Sequence, residues 1–129
     1  MNPVVKEWIA KAEGDYASAR RELRARKDPN YDAACFHAQQ CVEKYLKALL
    51  QSREAAFGKT HDLSLLLDAC LGEFPMCESF RPEMDMLTQY AVVFRYPGEN
   101  ATRAEARQAV VAATKLRKEM RSALRKRRS

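Results

Sequence analysis

The sequence predicts an all-α fold, a bundle of four main helices plus a short one. Gly and Pro are scarce, with 4 and 5 residues among 129, while Ala, Leu, Glu, Lys and Arg dominate. Apolar side chains recur at helical spacing in separate segments, and turn-forming residues lie between those segments. A chain of this length suits one domain. We therefore expect residues 1–129 to form a single helical domain, with a frayed basic tail from about residue 125.

The first two predicted helices form a long pair. Asn2 can cap the first helix, and Pro3 suits its first position, while the apolar positions of this helix extend to about residue 26. Residues 27–30 form a turn, and the second helix extends over residues 31 to about 56. The buried stripe predicted for the second helix consists of Tyr31, Ala34, Cys35, Ala38, Val42, Tyr45, Leu46 and Leu49.

Two shorter elements follow. Thr60 is the expected cap of a short third helix, and Asp62 is expected in its first turn, where a negative charge is favoured. The fourth helix covers roughly residues 77–94, although Pro82 favours a start near residue 81. The Pro-Gly pair within residues 95–101 then predicts a loop.

The last predicted helix begins with a capping box formed by Thr102 and Glu105, and it carries most of the positive charge. The net charge of the chain is +6, with +8 in residues 103–129 and −2 in the first 102 residues. Such a basic run can contact nucleic acid or an acidic protein. It can equally be a solvated helix end that the helix dipole favours, and both interpretations stay open.

The cysteines and the apolar runs indicate the compartment. Cys35, Cys41, Cys70 and Cys77 lie apart with no C-x-x-C pair, so we expect buried free thiols and no metal site. No apolar run approaches the length of a membrane span, and no secretory signal follows Met1. We expect a cytoplasmic protein without membrane contact. The apolar stripes are typical of a core or an interface, and they indicate no cofactor.

Two polar side chains border the buried stripe of the second helix. His37 and Lys44 share a row beside it, at helical neighbour spacing. A polar group at such a border must be hydrogen-bonded or must meet a ligand. The structural interpretation of His37 is a core histidine bonded to backbone or to a Tyr or Asp side chain. The functional interpretation is a ligand contact in a cleft with Lys44 and Gln40.

The other candidate site residues lie in two loops. His61 can order the turn before the third helix, or it can receive a phosphate at the helix N-terminus together with Lys59. Arg95 can form an ion pair with Glu99 or with an acid of another helix. Alternatively, Arg95 binds phosphate and Tyr96 stacks on a base.

Three segments occur in a specific order, namely YDAACFHAQQCVEKYLKA at residues 31–48, KTHDL at residues 59–63 and RYPG at residues 95–98. Together they resemble the HEPN family, the higher eukaryote and prokaryote nucleotide-binding domains, over nearly the whole chain. The resemblance implies an antiparallel up-and-down bundle that is usually a homodimer. Many bacterial members act with a minimal nucleotidyltransferase, encoded beside them, as a toxin–antitoxin pair.

The resemblance also implies a site. Toxic members of this family are metal-independent ribonucleases, in which four to six residues separate an Arg from a His at the dimer cleft. Arg95 lies where the Arg is expected, but positions 100–102 hold Asn, Ala and Thr. None of these is a general acid or base near neutral pH. Whether the chain is an enzyme stays open, because His37 or His61 can replace the missing His in space.

We therefore predict a dimeric HEPN-like protein associated with a nucleotide or RNA, the partner of a minimal nucleotidyltransferase, without an intact ribonuclease motif. The alternative is a non-catalytic protein-interaction bundle with a basic last helix, in which the polar row only fixes helix register. The catalytic group stays unknown. The residues predicted to bind nucleotide or RNA are Arg95, Tyr96, His37, Lys44, Lys59 and His61.

Overall fold

The structure, a computed structural model, describes residues 2–126. This part of the chain consists of five α-helices and one 3₁₀ helix, with no strand, which confirms the predicted all-α fold. The four long helices and the short one have the predicted order. They are α1 (Pro3–Arg24), α2 (Tyr31–Ser52), α3 (Leu63–Cys70), α4 (Arg81–Val93) and α5 (Arg103–Arg125), with the 3₁₀ helix at Pro75–Phe80.

The four long helices alternate in direction, as in the predicted up-and-down bundle. The Lys47 ammonium, late in α2, lies 5.5 Å from the Trp8 ring near the start of α1. Asp15, further along α1, binds His37 near the start of α2. Contacts of the same kind show that α5 is antiparallel to both α1 and α4. Consequently α2 and α5 begin at the same end of the bundle.

Helix α2 is the centre of the bundle, because it packs against α1, α3, α4 and α5. Of its 22 residues 13 are buried, which is more than the single predicted stripe. Every predicted stripe position is buried except Tyr31, which is half-buried. Among residues 2–126, no helix combines the length and the apolar character that crossing a membrane requires.

The four cysteines are buried free thiols, as predicted. Burial is the main cause that raises the pKa of the Cys35 thiol and that of the Cys70 thiol to about 12. These thiols are therefore protonated at neutral pH, and they act as small apolar core side chains.

The C-terminal ends of the first two helices differ from the prediction by a few residues. Helix α1 ends at Arg24 instead of residue 26, and α2 ends at Ser52 instead of residue 56. Chain direction changes after α2 because Glu54 adopts a left-handed backbone, with φ 56°. The N–H of Ala55 then donates to the Leu50 carbonyl at 2.9 Å, which closes the end of the helix.

The prediction that Thr60 caps α3, with Asp62 in its first turn, was wrong. Asp62 is itself the cap: its backbone is extended, and its carboxylate accepts from the Ser64 N–H at 2.9 Å. The hydroxyl of Thr60 instead accepts from the Asp62 N–H at 3.1 Å. An aspartate directly before the first apolar residue of the helix satisfies two requirements of a cap, a suitable side chain and a non-helical backbone.

The ends of α4 and α5 agree more closely with the prediction. Helix α4 begins at Arg81 with Pro82 in its first turn, and the residues just before it form the 3₁₀ helix instead of an α-helical turn. Thr102 and Glu105 form the predicted capping box of α5. Helix α5 ends at Arg125, and most of the predicted frayed tail, residues 127–129, lies outside the described residues.

Candidate functional site

The two polar residues at the border of the α2 stripe meet at an acid on α1. His37 Nδ1 lies 2.8 Å from Asp15 Oδ1, and Lys44 Nζ lies 2.5 Å from Asp15 Oδ2. Asp15 is buried, whereas the imidazole and the ammonium are half-buried. Each carboxylate oxygen therefore has one cationic or N–H partner, an arrangement that holds α1 against α2. This contact matches the structural interpretation of His37, a histidine bonded to an Asp side chain.

A second acid of α1 joins α1, α2 and α5. The Arg117 guanidinium donates to both carboxylate oxygens of Glu13 at 2.6 Å, and the Tyr45 hydroxyl also donates to Glu13. The Arg121 guanidinium donates to Tyr45 Oη at 3.2 Å. The hydrogen bond from Arg117 is the main cause that lowers the pKa of Glu13, and burial is the main cause that raises the pKa of Tyr45. Part of the basic last helix is therefore paired inside the bundle.

A third acid, Glu43 on α2, is the most buried of the three, with 2% of the residue exposed. Lys47 Nζ lies 3.2 Å from one carboxylate oxygen, and His61 Nδ1 lies 3.0 Å from the other. The Gln39 amide donates to the His61 carbonyl at 3.0 Å. The loop at His61 is thus attached to α2, although 72% of the imidazole side chain is exposed. Lys59, nearby in the same loop, is exposed.

Sequence reasoning missed the acids of these networks, although one signal was present. Asp15 lies between Ala12 and Ala19 at helical spacing, so it occupies the apolar face of α1. Likewise, Glu43 neighbours the apolar stripe of α2. An acid on an apolar helix face must have a partner, and this requirement identifies Asp15 and Glu43 as carboxylates bound by cationic or N–H groups.

Arg95 lies one residue after the C-cap of α4, and it is exposed. Its side chain forms no ion pair with Glu99 or with any other acid of residues 2–126. It lines an open groove of about 340 Å³ beside the rings of Phe36, Tyr90 and Phe94. The groove therefore combines a guanidinium group that has no acidic partner among residues 2–126 with aromatic surfaces.

The loop after Arg95 is fixed at both ends. The Glu99 N–H donates to the Tyr96 carbonyl at 3.1 Å, and Gly98 has φ 87°, a left-handed backbone that favours glycine. The Ala101 N–H donates to Asp32 at the start of α2, at 2.7 Å. The Tyr96 side chain points outward, with 62% of the residue exposed.

The six predicted site residues do not form one site. His37 and Lys44 share Asp15, His61 binds Glu43, and only Arg95 lines the aromatic groove. No histidine lines that groove, and neither histidine of the sequence follows an arginine at the spacing of the ribonuclease motif.

Comparisons with known proteins concern the family and the overall fold. A family model of the HEPN domain matches residues 5–123. The solved structure of ST0689, an archaeal HEPN homologue, has the same fold, with a TM-score of 0.69 at 24% identity over 94% of this chain and 98% of that one. The solved structure of TT1696 from Thermus thermophilus has a TM-score of 0.70 at 26% identity, over 92% of this chain and 96% of that one. No curated protein matches the sequence.

Proposed function

This chain belongs to the HEPN family, and from that premise we propose that it is a dimeric, nucleotide- or RNA-associated protein without an intact ribonuclease motif. The observation that carries the proposal is the Arg95 side chain, which has no acidic partner among residues 2–126 and lines a groove with Phe36, Tyr90 and Phe94. Arginine binds phosphate through two N–H groups, and aromatic rings stack on bases. Tyr96, exposed directly after Arg95, adds a further ring.

The same surroundings support binding without cleavage. Positions 100–102 hold Asn, Ala and Thr, and both histidines lie outside the groove lining, where His37 contacts Asp15 and His61 contacts Glu43. General acid–base catalysis near neutral pH needs a titrating group within hydrogen-bond reach of the reacting atom. The groove lining offers a cation, aromatic rings and the Asp32 carboxylate, which accepts from the Ala101 N–H, but no histidine.

The proposed dimer uses the surface around Arg95. Phe36 in the groove is 36% exposed, and Val92, one turn before Arg95 on α4, is 49% exposed. Exposed apolar side chains around one groove are typical of a protein interface. A symmetric pairing of two copies through this surface brings two Arg95 side chains towards one cleft.

The partner and the compartment belong to the same proposal. We infer a minimal nucleotidyltransferase as the protein partner, in a toxin–antitoxin-type pair, because many bacterial members of the family have that arrangement. Four buried thiols without a disulfide favour the cytoplasm as the compartment. Co-expression of this chain with an adjacent nucleotidyltransferase gene product, followed by purification through a tag on one of them, tests the pair directly.

Titration of a labelled single-stranded RNA of about 12 nucleotides tests the site at Arg95. We expect the wild-type protein to bind the RNA without cleaving it, and Arg95→Ala to weaken binding about tenfold. Lys118→Ala removes the same charge from an exposed position of α5, and it should leave binding within about twofold.

Two outcomes contradict this function. Cleavage by the wild-type protein that disappears in Arg95→Ala would make the chain a ribonuclease despite its incomplete motif. Absence of RNA and nucleotide binding, with a dimer still present in analytical ultracentrifugation, would favour the second candidate, a protein-interaction bundle. One observation favours that candidate, since the Asp15 contacts of His37 and Lys44 are those expected if the polar row fixes helix register.

A further inference from the structure

A second concave surface lies where the end of α1, the turn before α2 and the start of α5 meet. It is an open cavity of about 620 Å³, within the range of about 300–1,000 Å³ that small-molecule sites occupy. Four arginines line it, two from the end of α1 and the turn after it and two from the start of α5. They are Arg24, Arg26, Arg103 and Arg107.

No acid of residues 2–126 neutralises the positive charge of this arginine cavity. The lining contains no carboxylate, and none of its four arginines forms an ion pair with an acid of residues 2–126. The contrast on the same helix is clear, because Arg117 of α5 donates to both carboxylate oxygens of Glu13. Four like charges around one cavity repel each other, and a bound anion removes that repulsion.

Arg103 lies at an unfavourable position for a cation. It is the first residue of α5, where the helix dipole is positive and favours negative charge. The nearby carboxylate of Glu105 is occupied by the N–H and the hydroxyl of Thr102. Residues that break such a local rule without compensation within the fold are typical of binding sites.

We propose that the arginine cavity binds the phosphate groups of a nucleotide or of single-stranded RNA. The proposal rests on the function proposed above and adds the place on the chain where the phosphates bind. The planar guanidinium group matches a phosphate with two hydrogen bonds. Tyr31 adds a half-buried aromatic ring to the lining, which suits a base and favours a nucleotide or RNA over an acidic peptide.

The arginine cavity is distinct from the groove at Arg95, since the two linings have no residue in common. A shallow cleft formed by residues 28–32, Asn100 and Ala101 shares residues with both linings. The three depressions therefore follow one another along the start of α2.

Charge reversal at Arg103 tests the arginine cavity. We expect Arg103→Glu to weaken binding of the labelled RNA about tenfold or more, because it removes charged hydrogen bonds to phosphate and adds repulsion. The melting temperature should be unchanged or higher, since a carboxylate at the start of α5 is favoured by the helix dipole. Lys118→Glu is the matched control, with the same change of charge on an exposed position of the same helix.

Competition identifies the source of the phosphate. If ATP displaces the RNA from the wild-type protein and Arg103→Glu weakens ATP binding too, the cavity accepts a free nucleotide. If ATP does not displace RNA whose binding depends on Arg103, the cavity accepts the RNA backbone. Either result supports a phosphate site, and in the second case the salt dependence of RNA binding becomes less steep in Arg103→Glu.

Three results overturn the proposal. They are absence of binding to both probes, an equal loss in Lys118→Glu and Arg103→Glu, and displacement of the RNA by polyglutamate as effectively as by unlabelled RNA. The site at Arg95 is judged separately. Loss of binding in Arg95→Ala with full binding in Arg103→Glu rejects only the arginine cavity, and the reverse pattern rejects only the site at Arg95.

Discussion

The charged side chains of this protein fall into two regions with opposite properties. The carboxylates of Asp15 and Glu13 bind cationic or N–H groups of neighbouring helices, and that of Glu43 binds Lys47 of its own helix and His61 of the loop before α3. At the end where α2 and α5 begin, Arg95 and the four arginines of the cavity have no acidic partner among residues 2–126. The three carboxylates of the first region are partly or fully buried, whereas the arginines of the second are exposed.

The difference shows how burial separates structural charges from charges that are available to a ligand. An ionised group at the border of a core requires a partner, because an unpaired charge there is strongly destabilising. An exposed arginine is solvated and needs no partner, so its charge can be used for binding. The prominent His37–Lys44 row belongs to the paired region. The arginines of the cavity, which form no continuous pattern in the sequence, belong to the other.

Among these variants, we expect the largest loss in the free energy of unfolding from a substitution of Glu43. Glu43→Gln leaves Lys47, whose side chain is 8% exposed, without its acid. Breaking one partner of a buried ion pair costs roughly 3–5 kcal/mol of the free energy of unfolding, which urea denaturation measures. His61→Ala removes only the exposed partner and should cost at most about 1 kcal/mol. A loss below about 1 kcal/mol in Glu43→Gln would show that this pair is not structural.

An intermediate, pH-dependent effect is expected at Glu13. Its pKa is lowered in the folded protein from its ordinary value of 4.5, chiefly by the hydrogen bond from Arg117. This contribution to stability is therefore fully present above pH 4.5 and is lost as the pH falls through the lower, folded pKa. At neutral pH, Glu13→Gln should lower the free energy of unfolding by roughly 1.5 kcal/mol.

Urea denaturation of the wild-type protein and of Glu13→Gln at several pH values measures the difference between their free energies of unfolding. The difference should shrink below pH 4.5, because the wild-type carboxyl group then becomes neutral as well. A difference that stays constant as the solution is acidified would mean that the Glu13 carboxylate charge does not stabilise the fold. Tyr45→Phe serves as a comparison, because it removes the hydroxyl that donates to Glu13 and leaves the carboxylate in place.

The smallest effect on stability is expected in the unpaired region. Arg26→Ala and Arg95→Ala remove exposed side chains without an acidic partner among residues 2–126, so the free energy of unfolding should change by no more than about 0.5 kcal/mol. Thermal and urea denaturation of each variant measure the change. A loss above about 1 kcal/mol would assign these arginines to the fold, and it would remove the distinction between the two regions.

Much of the fold was predictable, and the caps explain why. Asn2 accepts a hydrogen bond from Val4 N–H, and Thr102 and Glu105 bond reciprocally, as their spacing predicted. Such contacts join residues two or three positions apart, so a short window of sequence contains all the participants. The cap of α3 was misassigned because Thr60 and Asp62 are both good caps, and only the backbone conformation distinguishes them.

The candidate site was predictable only in part. The segment RYPG placed Arg95 in a loop, and the absence of a His at positions 100–102 is evident from the sequence. The aromatic lining was not predicted, because Phe36 of α2 reaches the groove from a distant part of the chain. For the same reason, the cavity formed by Arg24, Arg26 and the start of α5 was not recognised.

The sequence by itself determined the helices and their order, since periodicity and caps act over a few residues. Only the tertiary structure decided which charges are paired. Glu13 and Arg117 are 104 positions apart, and Asp15 and Lys44 are 29 apart. Partners at such separations meet only when helices pack, so the distinction between structural and available arginines is a property of the assembled bundle.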